Sequence, residues 1–523
     1  MIPNPTAVSQ FESLSTKASS LIEWLQSSSL ALVLESNDLE TSRRVESELR
    51  ARLSFNWILP NAPAQKSVAV VNGGYEFDLR EKTFTHRGTF DAAKALDIKL
   101  IILDRSDHWL SRTELPDWDF DFIPIDTTID EHLPQRICAA LQDVKIDGLL
   151  TFTQDYLVAT SQAAGKLGLK TEPVGAFEAA QNKYETRLML GTHLLKFDSV
   201  TQLQDSALGR IQEEVGYPLI VKPCEGCGSR GVSKAVNEKD LLTAVHEMTK
   251  AGLDRGILIE PYIDGPEVDA NFVLWNGEIL FCEITDELPT RGDESKAGSS
   301  EPFLETNMLY PSEMPESEQE IIKTKLHENV LRLGFRSGIF HVEARVRHSS
   351  VAYQEKDGVV DLSSSQNGIQ APEVYLLEVN ARPPGQDAVY ATLFAHGVDY
   401  FGLHLLNAIG DETRYRALAP SFTSDAQQLW TSLAFIPMLP YPVHIPANFN
   451  QQLLSTINIS QAKVIWPECF RPDETVSTDD GTGLIATYAI SSSYGRKQAL
   501  QAAKDLEAVA LDILLALPNL SKT

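Results

Sequence analysis

The rhythm of apolar and polar positions changes twice along this chain. Over the first 170 residues or so, short apolar runs alternate with stretches of helical period. Residues 31–35 (ALVLE), 67–74 (SVAVVNGG), 100–104 (LIILD), 122–126 (FIPID) and 148–152 (GLLTF) read as strands. Helices are expected after the first of these, to roughly Arg52, near residues 89–96, and between the last two. Buried runs alternating with helices predict parallel βαβ units. No Gly-rich phosphate fingerprint is present in this part, and an unspecialised open α/β domain accounts for it.

From about residue 179 to about 290 turn-rich β-segments dominate, followed by a polar stretch, 291–301 (RGDESKAGSSE), that reads as a mobile loop. A long helix is expected at about 316–333, then strands at 339–347 and 374–379. The polar insertion between those strands, around 354–372, is expected to be a disordered or hairpin loop. Beyond about 420 come two apolar strands (LAFIPML, LIATYAIS) and a closing helix from Arg496. There are no internal repeats.

Composition narrows the function classes. A chain of 523 residues exceeds one ordinary core, so two to four domains are expected. A hydrophobic fraction of 43% and a charged fraction of 22% are those of a soluble globular protein. The formal charge of -27 argues against nucleic acid, whose phosphates need Lys and Arg, and against an anionic membrane. Five cysteines spread over this length are no disulfide framework. The N-terminus lacks a basic, then apolar, leader, and the apolar stretch at 509–517 is short and broken by Asp512. A cytoplasmic, soluble protein is the expectation.

Three segments carry chemistry. The first, residues 219–236 (LIVKPCEGCGSRGVSKAV), holds Gly226-x-Gly228-x-x-Gly231. That spacing matches a dinucleotide fingerprint, but the glycines lead into an alternating strand, not a helix. A Gly-rich hairpin can fold over phosphates, because its N–H groups approach closely, and Lys222 just before it could add an ammonium. Taken alone, the rival reading is an ordinary tight hairpin. Cys224 and Cys227 form a CxxC in this turn without the helix of a redox motif or a second ligand pair for zinc, so they read as incidental. The second, residues 257–269 (ILIEPYIDGPEVD), places Glu260 at a strand end and Glu267 after a turn. Such carboxylates can accept an adenine amino group and ribose hydroxyls, or be solvated turn residues. The third joins FHVEAR (340–345) to LLEVNARPPG (376–385). Glu378 and Asn380, two apart on a strand, share a face, and Glu343 interrupts an apolar strand where an unpaired carboxylate is costly. Their oxygens suit Mg²⁺ held jointly with nucleotide phosphates, and Arg382 could neutralise a transferred phosphoryl group. The rival reading is a surface strand with scattered charges.

The ordered set Lys183, Lys222 with its Gly loop, Glu260, Glu267, Glu343 and Glu378-x-Asn380-x-Arg382 resembles the ATP-grasp superfamily, over about residues 67–410. Within it the chain is similar to the amino-acid ligases that make dipeptides and to carnosine synthase-like enzymes. The resemblance implies an α/β fold with α+β elements, of ATP-grasp type. Its expected parts are an N-terminal extension (1–66), an open parallel α/β domain (67–178), a small lid subdomain (179–268), a large subdomain with the metal site (269–415) and a C-terminal domain (416–523). It implies an ATP-dependent ligase, forming ADP, that joins a small-molecule carboxylate to an amine through an acyl phosphate, with an amino acid as at least one substrate. The cofactors are ATP and Mg²⁺, for which Mn²⁺ can substitute. No nucleic-acid or membrane partner is implied. Homodimers are common in such enzymes, though no residue here requires one.

Roles follow by resemblance. Lys183 and Lys222 bind the α- and β-phosphates, and Gly226, Gly228, Ser229 and Gly231 cover the phosphates as a lid. Glu260 meets adenine, with the Tyr262 and Ile263 backbone as a hinge, and Glu267 meets ribose. Glu343, Glu378 and Asn380 ligate the metal, Arg382 stabilises the acyl phosphate and the tetrahedral state, and Arg345 partners a substrate carboxylate. In the dipeptide ligases a Glu followed three residues later by His lies near the amino-acid site. Here Glu305 fits, and Met308 stands where His is expected. The family's Arg-Pro-Gly-Gly is Arg382-Pro383-Pro384-Gly385 here, which bears on the acceptor pocket around Gly385 more than on the ATP chemistry. Two rivals remain: an enzyme of this fold activating another carboxylate or an enol oxygen before amino-acid addition, and a nucleotide-binding module without catalysis.

Overall fold

The structure, a computed structural model, describes residues 64–516 apart from short gaps at 79–82, 193, 204, 227, 254–255, 294–302, 366–369, 422–428, 440 and 478–482. The expected extension and its strand at 31–35 thus lie outside the described residues. The N-terminal unit has strands β1 (Lys66–Val71), β2 (Ile98–Asp104), β3 (Phe120–Pro124) and β4 (Gly148–Leu150), with helices α1 (Arg87–Leu96), α2 (Leu133–Ala140) and α3 (Leu157–Lys166). The sheet order is β3-β2-β1-β4, every pair parallel, as the alternation predicts. Val68 and Val70 enter the core on the side of α1, whereas Ala69 and Val71 enter the one holding α2 and α3. A strand buried on both faces needs an unbroken apolar run, which SVAVV supplies.

Between residues 174 and 261 the chain is less purely β than its texture predicts. Helices α4 (Val174–Gln181), α5 (Lys183–Leu190), α6 (Asp205–Glu214) and α7 (Glu238–Lys250) accompany strands β5 (Leu195–Phe197), β6 (Leu219–Pro223), β7 (Ser233–Ala235) and β8 (Ile257–Pro261). The capping signals were there to read. The side chain of Asn182 accepts from the backbone N–H groups of Tyr184 and Glu185, and that of Asn237 from Asp240. The strands form an antiparallel sheet, β5-β8-β6-β7, with α7 across one face. The Gly-rich segment is therefore a hairpin between β6 and β7, as its alternating exit strand required.

The largest sheet begins with β9 (Glu267–Trp275), β10 (Glu278–Glu287) and β11 (Asn307–Tyr310). Helix α8 (Glu316–Arg332) then leads to β12 (Gly338–Arg347), a hairpin of β13 (Val351–Lys356) and β14 (Val359–Ser364), and β15 (Glu373–Asn380). The insertion at 354–372 thus resolves as a hairpin over its described part. Helices α9 (Gln386–His396), α10 (Tyr400–Ala408), α11 (Glu412–Leu418) and α12 (Phe449–Thr456) intervene among β16 (Trp430–Pro437), β17 (Lys463–Cys469) and β18 (Leu484–Ser492), and α13 (Arg496–Leu515) closes the described chain. The sheet order is β15-β12-β9-β10-β11-β16-β18-β17, all antiparallel. Strands from the C-terminal segment therefore extend the same sheet that carries the carboxylates.

Strand period makes this sheet two-faced. On β9, Val268, Ala270 and Phe272 enter a core with Ile322 and Leu326 of α8, while Glu267, Asp269 and Asn271 point the other way. Residues directly opposite on β12 continue the polar face with His341, Glu343 and Arg345. The register slips between Glu343 and Ala344 against β15, a bulge that leaves Leu377 outside the ladder.

Candidate active site

One cleft separates the polar face of the large sheet from the four-stranded sheet, and it gathers most of the residues expected to act together. Lys183, Lys222, Gly226, Gly228, Ser229, Glu260, Tyr262, Ile263, Glu267, Glu305, Glu343, Arg345 and Glu378 line it. Gly231, Asn380, Arg382 and Gly385 are not part of that lining.

On the small-sheet side, Lys222 lies on β6 opposite Leu258 of β8, and Lys183 opens α5. The Lys183 ammonium stands 2.8 Å from the Gly226 carbonyl and 3.0 Å from a Glu378 carboxylate oxygen, so it ties the Gly loop to the large sheet. Gly226, Gly228 and Gly231 all have positive φ, and 139° at Gly226 is open essentially to glycine alone. Ser229 also adopts a positive φ, of 54°. Of the CxxC pair, Cys224 is a buried free thiol, and Cys227 lies outside the described residues.

Glu260 is the penultimate residue of β8, with its side chain almost fully buried. It pairs with the Lys222 ammonium and with the Arg187 guanidinium at 3.2 Å, and accepts from the Tyr375 hydroxyl at 3.1 Å. Burial opposes its charge, but Arg187 and then Lys222 overcome that and hold its carboxyl down to about 2. Arg187 also donates to the Leu377 carbonyl at 2.9 Å, the group the bulge frees. Glu267 faces Arg345 across the β9–β12 pair, at 2.5 Å, and Arg345 also meets Asp293 at 2.7 Å and the Ile263 carbonyl at 3.2 Å. The Tyr262 hydroxyl donates to Asp293 at 2.9 Å, and the Lys234 ammonium lies 3.8 Å above its ring.

On the large sheet, Glu343 and Glu378 are directly opposed on β12 and β15. Like charges across a strand pair repel, and the Lys183 ammonium beside Glu378 offsets part of that repulsion. Burial first, then Glu378 and Asp269, push the Glu343 carboxyl well above its ordinary range. Asn380 donates its amide to Glu343 at 3.1 Å. Among the described residues no three His, Cys, Asp or Glu side chains are grouped to hold a metal by themselves. Two carboxylates and an amide leave coordination positions for nucleotide oxygens, which fits Mg²⁺, a hard ion that seldom occupies an all-protein cage.

The remaining expected residues sit around the start of α9. Gly385 is its N-cap, and Arg382 donates to the Pro383 carbonyl at 2.8 Å. Glu305 stands at the exposed edge of the cleft, yet desolvation there, then Asp387 and Glu267, raise its carboxyl to about 7, against the pull of Arg382. Met308 faces inward on β11 and packs with Ala388, Ala391 and Leu433. The position expected to hold His is therefore a packing position in this chain.

Tyr375 and Glu287 also line the cleft, Arg187 and Asp293 pair with residues that do, and sequence reasoning passed over all four. Glu287 lies directly opposite Glu267 on the neighbouring strand, a pairing that only the register reveals. Arg187 and Tyr375 meet Glu260 only through tertiary packing, so no local pattern marks them.

A family profile for the ATP-grasp domain matches residues 215–356, and one for the ATP-grasp N-terminal domain matches residues 90–171. The ATP-grasp enzyme fsqD of Aspergillus fumigatus is 35% identical over 405 residues, covering 75% of this chain and 68% of that one. A D-alanine–D-alanine ligase of Geobacillus thermodenitrificans is 31% identical over 139 residues, which span only 37% of that enzyme. Among solved structures, an L-amino acid ligase from Bacillus licheniformis superposes with a TM-score of 0.60 at 20% identity. It covers 85% of this chain and 97% of that one, a likeness that carries the fold alone.

Proposed function

The chain belongs to the ATP-grasp family, and from that premise we propose that it is an ATP-dependent ligase joining a carboxylate to an amine, with an amino acid as at least one substrate. The observation that carries this reading is the Lys183 ammonium, set between the Gly226 carbonyl of the hairpin and the Glu378 carboxylate of the large sheet. A phosphate chain needs cations on one side and a metal on the other, and Lys183, Lys222, Glu343 and Glu378 line one cleft, which supports this reading.

In this reading Lys183 and Lys222 bind phosphate oxygens, and the hairpin carrying Gly226, Gly228, Ser229 and Gly231 closes over them and excludes water. Glu343, Glu378 and Asn380 would hold Mg²⁺, and the ion would supply Lewis-acid polarisation of the phosphoryl group. Glu260, the hinge at Tyr262 and Ile263, and Glu267 receive the nucleoside. A carboxylate attacks the γ-phosphorus of ATP, giving an acyl phosphate and ADP. An amine then attacks the acyl carbon and phosphate leaves, forming the amide. Activation of this kind is needed because a free carboxylate is a poor electrophile. Arg382 stabilises the phosphoryl and tetrahedral states. Arg345, already paired with Glu267 and Asp293, has to exchange one of those partners to meet a substrate carboxylate.

The inward-facing Met308 favours a second reading, in which the activated oxygen belongs to something other than an amino acid. Release of ADP and phosphate from Mg²⁺-ATP against pooled amino acids, with mass spectrometry of products, separates the two. A pool-dependent product of two substrates minus water supports the first; no turnover with any amino acid supports the second. The Glu378→Ala variant should fold but form no ADP, and retained turnover would refute the metal assignment.

A further inference from the structure

Lys222 and Glu260 have separate tasks in the proposed chemistry, one at the phosphates and one at the base, yet here each holds the other. The Lys222 ammonium of β6 sits on Oε1 of Glu260. The second oxygen, Oε2, accepts from Nε of Arg187 at 3.2 Å and from the Tyr375 hydroxyl of β15 at 3.1 Å. A carboxylate oxygen has two lone pairs, so Oε2 is filled. The oxygen left for a base is Oε1, and Lys222 covers it.

Arg187 is fixed where Lys222 is not. Its side chain is 1% exposed, and its Nη2 donates to the Leu377 carbonyl at 2.9 Å, so it is held at two points. It follows Lys183 by four positions on α5 and shares a helix face with it. One helix thus sends Lys183 to the Gly loop and Arg187 to Glu260. A guanidinium keeps its charge throughout the working pH range, so Glu260 retains a counter-ion when Lys222 is elsewhere. An ionised carboxylate only accepts hydrogen bonds. It therefore suits a base carrying an exocyclic amine and repels a keto oxygen in the same place.

We propose that nucleotide entry exchanges the partners of Glu260: Lys222 moves to the phosphates, the adenine amine takes Oε1, and Arg187 remains as the positioning residue that keeps Glu260 an acceptor. The inference rests on the nucleotide reading given above and adds to it a link between the two ends of the ligand. Phosphates draw Lys222 away and so uncover the base site. A nucleoside has nothing to draw it with, and meets a covered oxygen.

The test is titration calorimetry on the full chain with Mg²⁺ present, using ADP, adenosine and inosine diphosphate, in which a keto oxygen replaces the amine. Lys222→Met opens Oε1, so it should bind adenosine at least about threefold more tightly than the unmodified chain while ADP weakens at least about tenfold. A purely structural role for Lys222 would not tighten any ligand. Arg187→Met leaves Lys222 as the last cation on Glu260, and should lower the preference for ADP over inosine diphosphate at least about tenfold. Arg187→Lys, which keeps the charge, should restore most of that preference. Where Arg187→Met does not fold, the adenosine measurement on Lys222→Met still decides. Adenosine bound no more tightly by Lys222→Met overturns the exchange, and an unchanged base preference in folded Arg187→Met overturns the part given to Arg187. Both leave the ligase reading standing. Failure of the unmodified chain to bind ADP overturns the nucleotide reading beneath them.

Discussion

Glu260 keeps a full charge where almost no water reaches, and two cations make that tolerable. Its carboxyl is held at about 2 in the fold, against an ordinary 4.5. A depressed carboxyl contributes stability that is present above the unfolded value and is lost as pH falls through the folded one. The shift corresponds to about 3 kcal/mol, so denaturant midpoints should decline between about pH 5 and pH 2 more steeply for the native chain than for Glu260→Gln. At neutral pH the variant itself should be destabilised by about 3–5 kcal/mol, because Arg187 and Lys222 are then buried with one partner too few. Equal pH slopes in the two proteins would show that Glu260 is not the group carrying this linkage. The sequence marked Glu260 through its place at a strand end. It could not mark Arg187, 73 positions earlier, whose contact exists only because α5 packs beside β8.

At the scale of elements, the β6–β7 hairpin shows how a short motif can be read correctly when its context is read with it. Three glycines at dinucleotide spacing suggested one ligand geometry, and the strand after them excluded it. The conformation at Gly226 costs any other residue about 1–3 kcal/mol, so Gly226→Ala should reshape the loop rather than the fold. ATP affinity, measured by titration calorimetry, is expected to fall about tenfold, the lower half of that strain range, with little change in melting temperature. Unaltered affinity would remove the loop from the nucleotide site. The helices of this region were less legible because α5 follows α4 with one residue between, so two short helices blur into no clear period. Their asparagine caps, Asn182 and Asn237, were the readable signal.

Taken whole, the molecule is tied together by its largest sheet. Arg496, at the start of the closing helix, lies 2.8 Å from both Asp286 of β10 and Asp361 of β14. Arg496→Met should leave Asp286 buried without its cation and lower stability by about 3–5 kcal/mol in urea denaturation. A loss below about 1 kcal/mol would mean that the C-terminal segment adds little to the central sheet. Gly148 plays a comparable part between the N-terminal sheet and α10, since a Cβ there would stand 2.8 Å from the Ala408 backbone. The alternating runs of the first unit, the spacing of Glu378 and Asn380, and the order of the charged motifs were determined by sequence alone. They are local: period two places side chains on a face, and an apolar run demands two covered faces. Which carboxylate meets which cation was decided only by tertiary structure. The bulge beside Glu343, the turn of Met308 into the core, and the pairing of Arg345 with Asp293 each depend on strands distant in the chain being brought into register. Charge pairing acts over a few ångströms of space, and sequence separation does not record those distances.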